Sequence, residues 1–324
     1  MNAMTFCKAV SSVLLCAAGS LAFAQDLPPA PIRMVVGFAP GGANDVIARL
    51  IATPLQAQIK STVIVENKPG GGSTVATAEL AKAPATGQML LLGSTGGQAI
   101  APAIYDKLPY DPVKNVQPVT MVAKSAIAIV VNDALPVKNV NELIAYAKAN
   151  PGKLNVASPG NGTGSHLAAE LFKSMAGVAM THIPYRGDAP AMQDVMGGQA
   201  QLTFASLPSA IAGAQTNRAR IIAVTSANRV PMLASTPTVI ESGLPGYEVL
   251  TWYGVFTTGG TPTAVVNRLA AEIGLVLAQP AVREAISKMG MEAAPSSPEE
   301  FSRVVNSDMA RWGAVVRSVG IKVD

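Results

Sequence analysis

Three times the chain runs an apolar stretch into a turn of glycine with proline, serine, threonine or asparagine, and from there straight into an amphipathic run. The segments are 32–51 (IRMVVGFAPGGANDVIARLI), 63–80 (VIVENKPGGGSTVATAEL) and 154–172 (LNVASPGNGTGSHLAAELF). Val46, Ile47, Leu50, Ile51 and Leu55 recur at the helical period, as do Leu167, Ala168, Leu171, Phe172 and Met175. Each set predicts a helix with one apolar face.

The remaining apolar stretches extend the pattern. Strands are expected at 32–38, 62–66, 89–93, 127–132, 154–157, 180–183, 202–205, 220–225 and 249–256. Most are continuous apolar runs bounded by turns, as strands buried on both faces require. Strand and helix alternate, so the class is α/β with mainly parallel sheets. The C-terminal third is helical instead, with helices expected at 262–278, 281–289 and 298–319. Thr261-Pro262 and Ser297-Pro298 each place a cap residue before a proline at the first helical position, and Glu300 completes a capping box with Ser297. Phe301, Val304, Val305, Met309, Trp312 and Val316 form the buried stripe of the last helix, which makes Trp312 a core residue.

The first 24 residues stand apart. Lys8 is their one charge, an apolar stretch follows from residue 9 to 23, and Ala22 and Ala24 supply the small residues before a cleavage point ahead of Gln25. This is the pattern of a cleaved export signal. Both cysteines, Cys7 and Cys16, fall inside it, so the mature chain has no disulfide, thiolate metal site or cysteine nucleophile. Removing Lys8 lowers the net charge from +4 to +3. That excess is too weak for a nucleic-acid footprint. The 300 residues that remain exceed what one core ordinarily organises, so two lobes are expected, with the chain crossing between them more than once.

Catalytic motifs fail one by one. There is no G-x-S-x-G, and His166 and His182 are the only imidazoles. Adjacent helical residues point about 100° apart, so Ser165 and His166 are poorly placed as a nucleophile–base pair. Gly152-Lys153 is followed by Leu154, which excludes a P-loop. Residues 160–165 put serine where a dinucleotide fingerprint needs its third glycine, and the stretch THIPYRGDAP is read as having no acid at the strand end for a ribose. No metal, cofactor or catalytic residue is expected. What survives is anion recognition by helix N-terminal amides and small hydroxyls at the three glycine-rich turns.

The motifs VGFAPGGAND (36–45), NKPGGGS (67–73), SPGNGTGSHL (158–167), PYRG (184–187), LPSA (207–210) and AVTS (223–226) occur in one order over nearly the whole mature chain. Together they resemble the Bug or TctC family, the extracytoplasmic solute receptors of tripartite tricarboxylate transport systems. The resemblance implies a two-lobed, type II-like periplasmic-binding-protein fold, each lobe a mostly parallel sheet flanked by helices, closing on a carboxylated solute. It divides the chain into a signal peptide (1–24), a first lobe (25–124 and 228–324) and a second lobe (125–227). From the first lobe it implies ligand contacts at Phe38, Ala39, Pro40, Gly41, Gly42, Asp45, Gly71, Gly72, Ser73, Ser94 and Thr95. From the second it implies Ser158, Thr163, Gly164, Ser165, His166, Tyr185, Arg186 and Ser206.

Physical roles follow for a few of these. Phe38 would wall the cleft, Arg186 would pair a distal acid, and Asp45 would cap a helix rather than meet an anion. Where many relatives carry an acid after Phe204, this chain has Ala205, which argues for a di- or tricarboxylate or an aromatic acid rather than an amine-bearing ligand. The implied partners are the solute and either membrane transporter subunits or a sensor protein, with the receptor a monomer in the periplasm. An exported hydrolase using Ser165 and His166, or an envelope adhesion protein without a closing cleft, would be the competing readings.

Overall fold

The computed structural model describes residues 31–319 apart from Asp106. The leader expected at 1–24 lies outside the described residues.

Strand β1 (Ile32–Val36) has its hydrophobic side chains buried and runs into helix α1 (Ala43–Ile59). It pairs in parallel with β2 (Val63–Asn67) on one side and β3 (Met89–Ser94) on the other. Helix α2 (Thr74–Lys82) leaves the second glycine-rich turn, and a wide turn over Gly96–Ile100 leads from β3 into the short α3 (Ala101–Ile104). Every residue of β3 is buried, as a strand covered on both faces demands.

β4 (Val116–Asn132) is the longest strand and belongs to both halves of the molecule. Its first part pairs antiparallel with β9 (Leu250–Thr258), which itself pairs antiparallel with β3. Its last residues pair antiparallel with β7 (Leu202–Ser206) and β8 (Ala219–Val224). The second sheet is completed by β5 (Asn155–Ser158), parallel to β7 and to β6 (Thr181–Pro184). Helices α4 (Val140–Ala149), α5 (Gly164–Ala176), α6 (Asp188–Met196) and α7 (Leu207–Ala214) connect its strands. The chain passes between halves in β4 and in β9, and the two crossings lie side by side, with Ala126 opposite Leu250.

All nine expected strands are present, and the α/β class holds. The sheets are mixed rather than mostly parallel, because both crossing strands run against their neighbours. The first part of β4 was not expected as strand. Pro118 explains why: it cannot donate to the ladder, and the register with β9 shifts between Pro118 and Thr120.

Residues 228–249, expected with the first lobe, make their hydrogen bonds with the second sheet. Val224 N donates to Pro237 O, Val239 N to Val224 O, and the Tyr247 hydroxyl to Ala168 O at 2.7 Å in α5. The helical stripes are rotated slightly from expectation. Val46 and Met175 are exposed, while alanines 48, 52, 169 and 176 turn inward, where their small side chains let the helices lie close on the sheets.

After β9 come α8 (Thr263–Ala278), α9 (Pro280–Lys288), the two-residue β10 (Glu292–Ala293) against β4, and α10 (Pro298–Val319). The capping box forms: Glu300 N donates to Ser297 Oγ at 3.1 Å and Ser297 N to a Glu300 carboxylate oxygen at 2.9 Å. Thr261 does not cap α8. Its hydroxyl donates to Thr258 O, and Pro262 occupies the cap position. Helix α10 packs over β4 and β9, with Trp312 in the core and the Trp252 indole donating to Asp308 at 2.7 Å. Phe301 lies against Gly254, where a Cβ would stand 2.2 Å from its ring.

Candidate ligand-binding cleft

The three glycine-rich turns stand at the carboxyl ends of β1, β2 and β5, where α/β proteins place their ligands. The first two belong to one half of the molecule and the third to the other. The halves meet there: Ala39 N donates to Arg186 O at 2.9 Å. A Cβ at Gly72 would lie 2.1 Å from Asn161 O, and one at Gly96 would lie 2.7 Å from Thr163 Cα. Gly72 also has φ +60°, so side-chain-free backbone is needed both for its conformation and for this approach.

Two of the spaces between the halves adjoin the glycine-rich turns. One is a small cavity of about 30 Å³, lined by Phe38 and Ser94 from the first half, by Thr163, Gly164, Ser165, Asp188 and Ser206 from the second, and by residues at the crossing strands. The other, of about 370 Å³, opens beside it between Gly71, Gly72 and Tyr105 on one wall and Asn161, Tyr185 and Arg186 on the other. Phe38 borders both, buried at 7% exposure.

Several expected contacts hold the loops instead of facing either space. Asp45 accepts from Gly41 N (3.0 Å), Arg49 Nε (3.0 Å) and Asn67 Nδ2 (2.9 Å), while Asn67 Nδ2 also donates to Phe38 O. Burial pushes the Asp45 carboxyl up, but the bonds from Arg49, Gly41 and Asn67 together outweigh it and hold it below the usual carboxylate range. The side chain is thereby committed to fixing its own turn. Ala39 meets the second half at Arg186 and Gly187, and Ala39, Pro40 and Gly41 line neither space. Thr95 Oγ1 accepts from Trp252 N at 2.9 Å and so faces the crossing strand β9. Ser73 is buried at φ +85° with its hydroxyl unpartnered among the described residues, wedged against Gly37 and Gly97.

In the second half, Thr163 caps α5, accepting from His166 N at 3.2 Å and donating to Gly160 O at 2.8 Å. Ser158 turns away from the cavity to meet His182 Nε2 at 2.6 Å and Gly160 N at 3.2 Å. His166 accepts from Gly162 N at 3.3 Å and stacks on His182 with ring centroids 3.9 Å apart. Burial, then the neighbouring cationic positions, pushes His166 down to about 3 and His182 down to about 4, so both are neutral at ordinary pH. This pair shapes the loop that carries the α5 N-terminus. The Ser158–His182 contact is the nearest thing here to a nucleophile and base, but Ser158 is fully buried and bonded to its own loop. Tyr185 donates to Asp194 at 2.6 Å, and Arg186 is exposed at the mouth of the larger space.

Asp188 was missed. It is the first residue of α6, four positions past the end of β6, where the sequence reading found no acid. It accepts from Ser206 Oγ at 2.9 Å, immediately beside Ala205. An acid therefore lines the small cavity although position 205 is alanine. An acidic residue directly after Gly187 at a helix start was the available signal. Thr251 and Tyr253, also on the small cavity, come from β9 and carry no local motif. Among the described residues no group of three metal-ligating side chains converges.

Residues 47–321 match the model of the tripartite tricarboxylate transporter family receptor, TctC. A protein from Pseudomonas sp. strain P51, described as the UPF0065 protein in the tcbD-tcbE intergenic region, is 39% identical over 290 residues, 89% of this chain and 86% of that one. Among solved structures, R. palustris Rpa4515 with adipate superposes with a TM-score of 0.89 at 34% identity, covering 92% of this chain and 99% of its own. The periplasmic binding protein BugD gives 0.87 at 34% over 91% and 99%. MatC from Rhodopseudomonas palustris with bound malate gives 0.85 at 29% over 89% and 99%. The two-lobed fold of these binding proteins is the fold of this chain, and the chain belongs to the TctC family of receptors.

Proposed function

We propose that this protein is an exported receptor, freed of residues 1–24 by cleavage after Ala24, that captures a small organic carboxylate by closing two lobes over it and delivers it to the membrane subunits of a tripartite transporter. The observation that carries the reading is the composition of the small cavity: hydroxyls from both halves and the N-terminal residues of α5 converge on it, and among the described residues no catalytic pair does. Such donors hold an oxyanion without a full opposing charge. Family relatives that hold adipate and malate support an organic acid as the ligand class.

The lobes divide at the paired crossings, Ala126 in β4 and Leu250 in β9, with residues 228–249 moving with the second lobe. Closure is a rotation about these two strands, and the cavity of about 30 Å³ corresponds to lobes already pressed together. The test is thermal unfolding of the purified protein against a library of organic acids. A bound carboxylate raises Tm by mass action, and Ser165→Ala with Ser94→Ala reduces the rise. A library broad in length and charge that shifts nothing rules the reading out.

A further inference from the structure

Helix α1 begins after Gly42, a cap residue without a side-chain acceptor. An anion stands beside it from across the cleft. The Asp188 carboxylate lies near the Ala43 amide, and a Cβ at Gly42 would stand 3.6 Å from Asp188 Oδ2. The place where the first glycine-rich turn would offer its amides to a ligand anion therefore already holds an anion of the protein.

The surroundings of that carboxylate are one-sided. Its partners are the Ser206 hydroxyl and amide, both neutral donors. Among the described residues no lysine, arginine or histidine lines the small cavity, and Arg186 stands exposed at the neighbouring opening. Burial raises the Asp188 carboxyl above its usual range, offset only in part by the Ser206 bonds and the nearby Ala43 amide, as expected for an enclosed acid without a cation. A ligand carboxylate placed against it would add a second negative charge with nothing to neutralise either. The rest of the polar lining differs in kind: Ser94, Thr163, Gly164 and Ser165 present hydroxyls and the N-terminal amides of α5. The cleft is polarised, with an acid at one place and anion-holding donors at another.

From this polarity we propose that Asp188 is a specificity-determining residue: the cleft takes a zwitterionic carboxylate, whose ammonium group meets Asp188 and whose carboxylate meets the α5 N-terminus, in preference to a dianion of similar length. The inference rests on the carboxylate-receptor reading and narrows its ligand class. An ammonium supplies the positive charge that this acid lacks and donates to the lone pairs that Ser206 leaves open.

The experiment is titration calorimetry on the purified protein with matched pairs: L-aspartate against succinate, L-glutamate against glutarate, and 4-aminobutyrate against glutarate. The amine-bearing member of at least one pair is expected to bind tenfold or more tightly than its dicarboxylate. In Asp188→Asn and Asp188→Ser that preference is expected to fall by tenfold or to reverse. The wild-type comparison stands even where a variant folds poorly. Dicarboxylates that bind as well as or better than their amine-bearing partners overturn the proposal while leaving the carboxylate reading intact. A preference for the amine that survives in both folded variants also overturns it. No binding by any member, nor by a wider set of organic acids, overturns the receptor reading and this inference with it.

Discussion

The carboxylates of Asp45 and Asp188 lie near the same helix N-terminus in different company: one beside Arg49, Asn67 and an amide, the other beside a serine and backbone donors only. The first is held ionised by its partners, and the second is left raised by burial. His166 and His182 add a third case, two imidazoles kept neutral by enclosure. Their consequence is a pH dependence of stability. Below the ordinary imidazole value of 6.5 the unfolded chain binds protons at both rings, while the folded chain does so only near 4 and 3. Unfolding therefore takes up protons across that window, and stability falls as pH drops through it. Urea unfolding should show a free energy flat above pH 7 that declines from about pH 6.5 toward 4, by several kcal/mol in all. Replacing both rings, as in His166→Phe with His182→Gln, should flatten that decline, and an unchanged slope would refute the account. At this scale the sequence was partly legible. Phe38, Ser94, Thr163, Gly164, Ser165 and Ser206 all reach the small cavity because strand ends and helix starts point there by construction. Ser158, Thr95 and His166 sit on the same turns yet face inward, and which way a hydroxyl or ring turns depends on partners from other elements. Asp188 has only its place after Gly187 at a helix start to mark it, because its neighbours Ser206 and Gly42 come from other elements.

Elements were easier to read than side chains, because burial on both faces leaves continuous apolar runs and capping chemistry marks helix ends. The capping box of α10 is the clearest instance, and it fixes the start of the helix that covers β4 and β9. Ser297→Ala should cost about 1 kcal/mol in denaturant unfolding without altering ligand affinity. A loss below a few tenths would mean that packing of Phe301 against Gly254, rather than the cap, holds this end. The element that escaped was the first part of β4. Its proline and register shift disguise a strand that pairs on one side with β9 and touches β10 on the other. The direction of pairing escaped as well. Apolar runs report that a strand is buried, and both parallel and antiparallel neighbours bury it equally.

For the whole molecule, the crossing strands are the only described β-strands that tie one sheet to the other, and Thr225 binds them together. Its Oγ1 accepts from Ile127 N at 2.9 Å in β4 and donates to Val249 O at 2.6 Å at the entry to β9. Thr225→Val keeps the volume but leaves a buried amide and carbonyl without this partner. The expected loss is about 1–3 kcal/mol of stability, accompanied by a changed ligand affinity because the pivot is disturbed. Chemical denaturation and calorimetry on one preparation would check both, and a variant as stable as wild type would show the hydroxyl to be dispensable. The placement of β9 has another consequence. Strands β1, β2 and β3 come first in the chain and carry α1 with them, yet the sheet they form is closed only by Leu250–Thr258 and its helical cover is completed only by helices that follow. The second sheet needs little beyond residues 127–249. During synthesis the middle of the chain is therefore the first part with its partners in hand, and the beginning must wait, unpaired along one edge, until the end has been made.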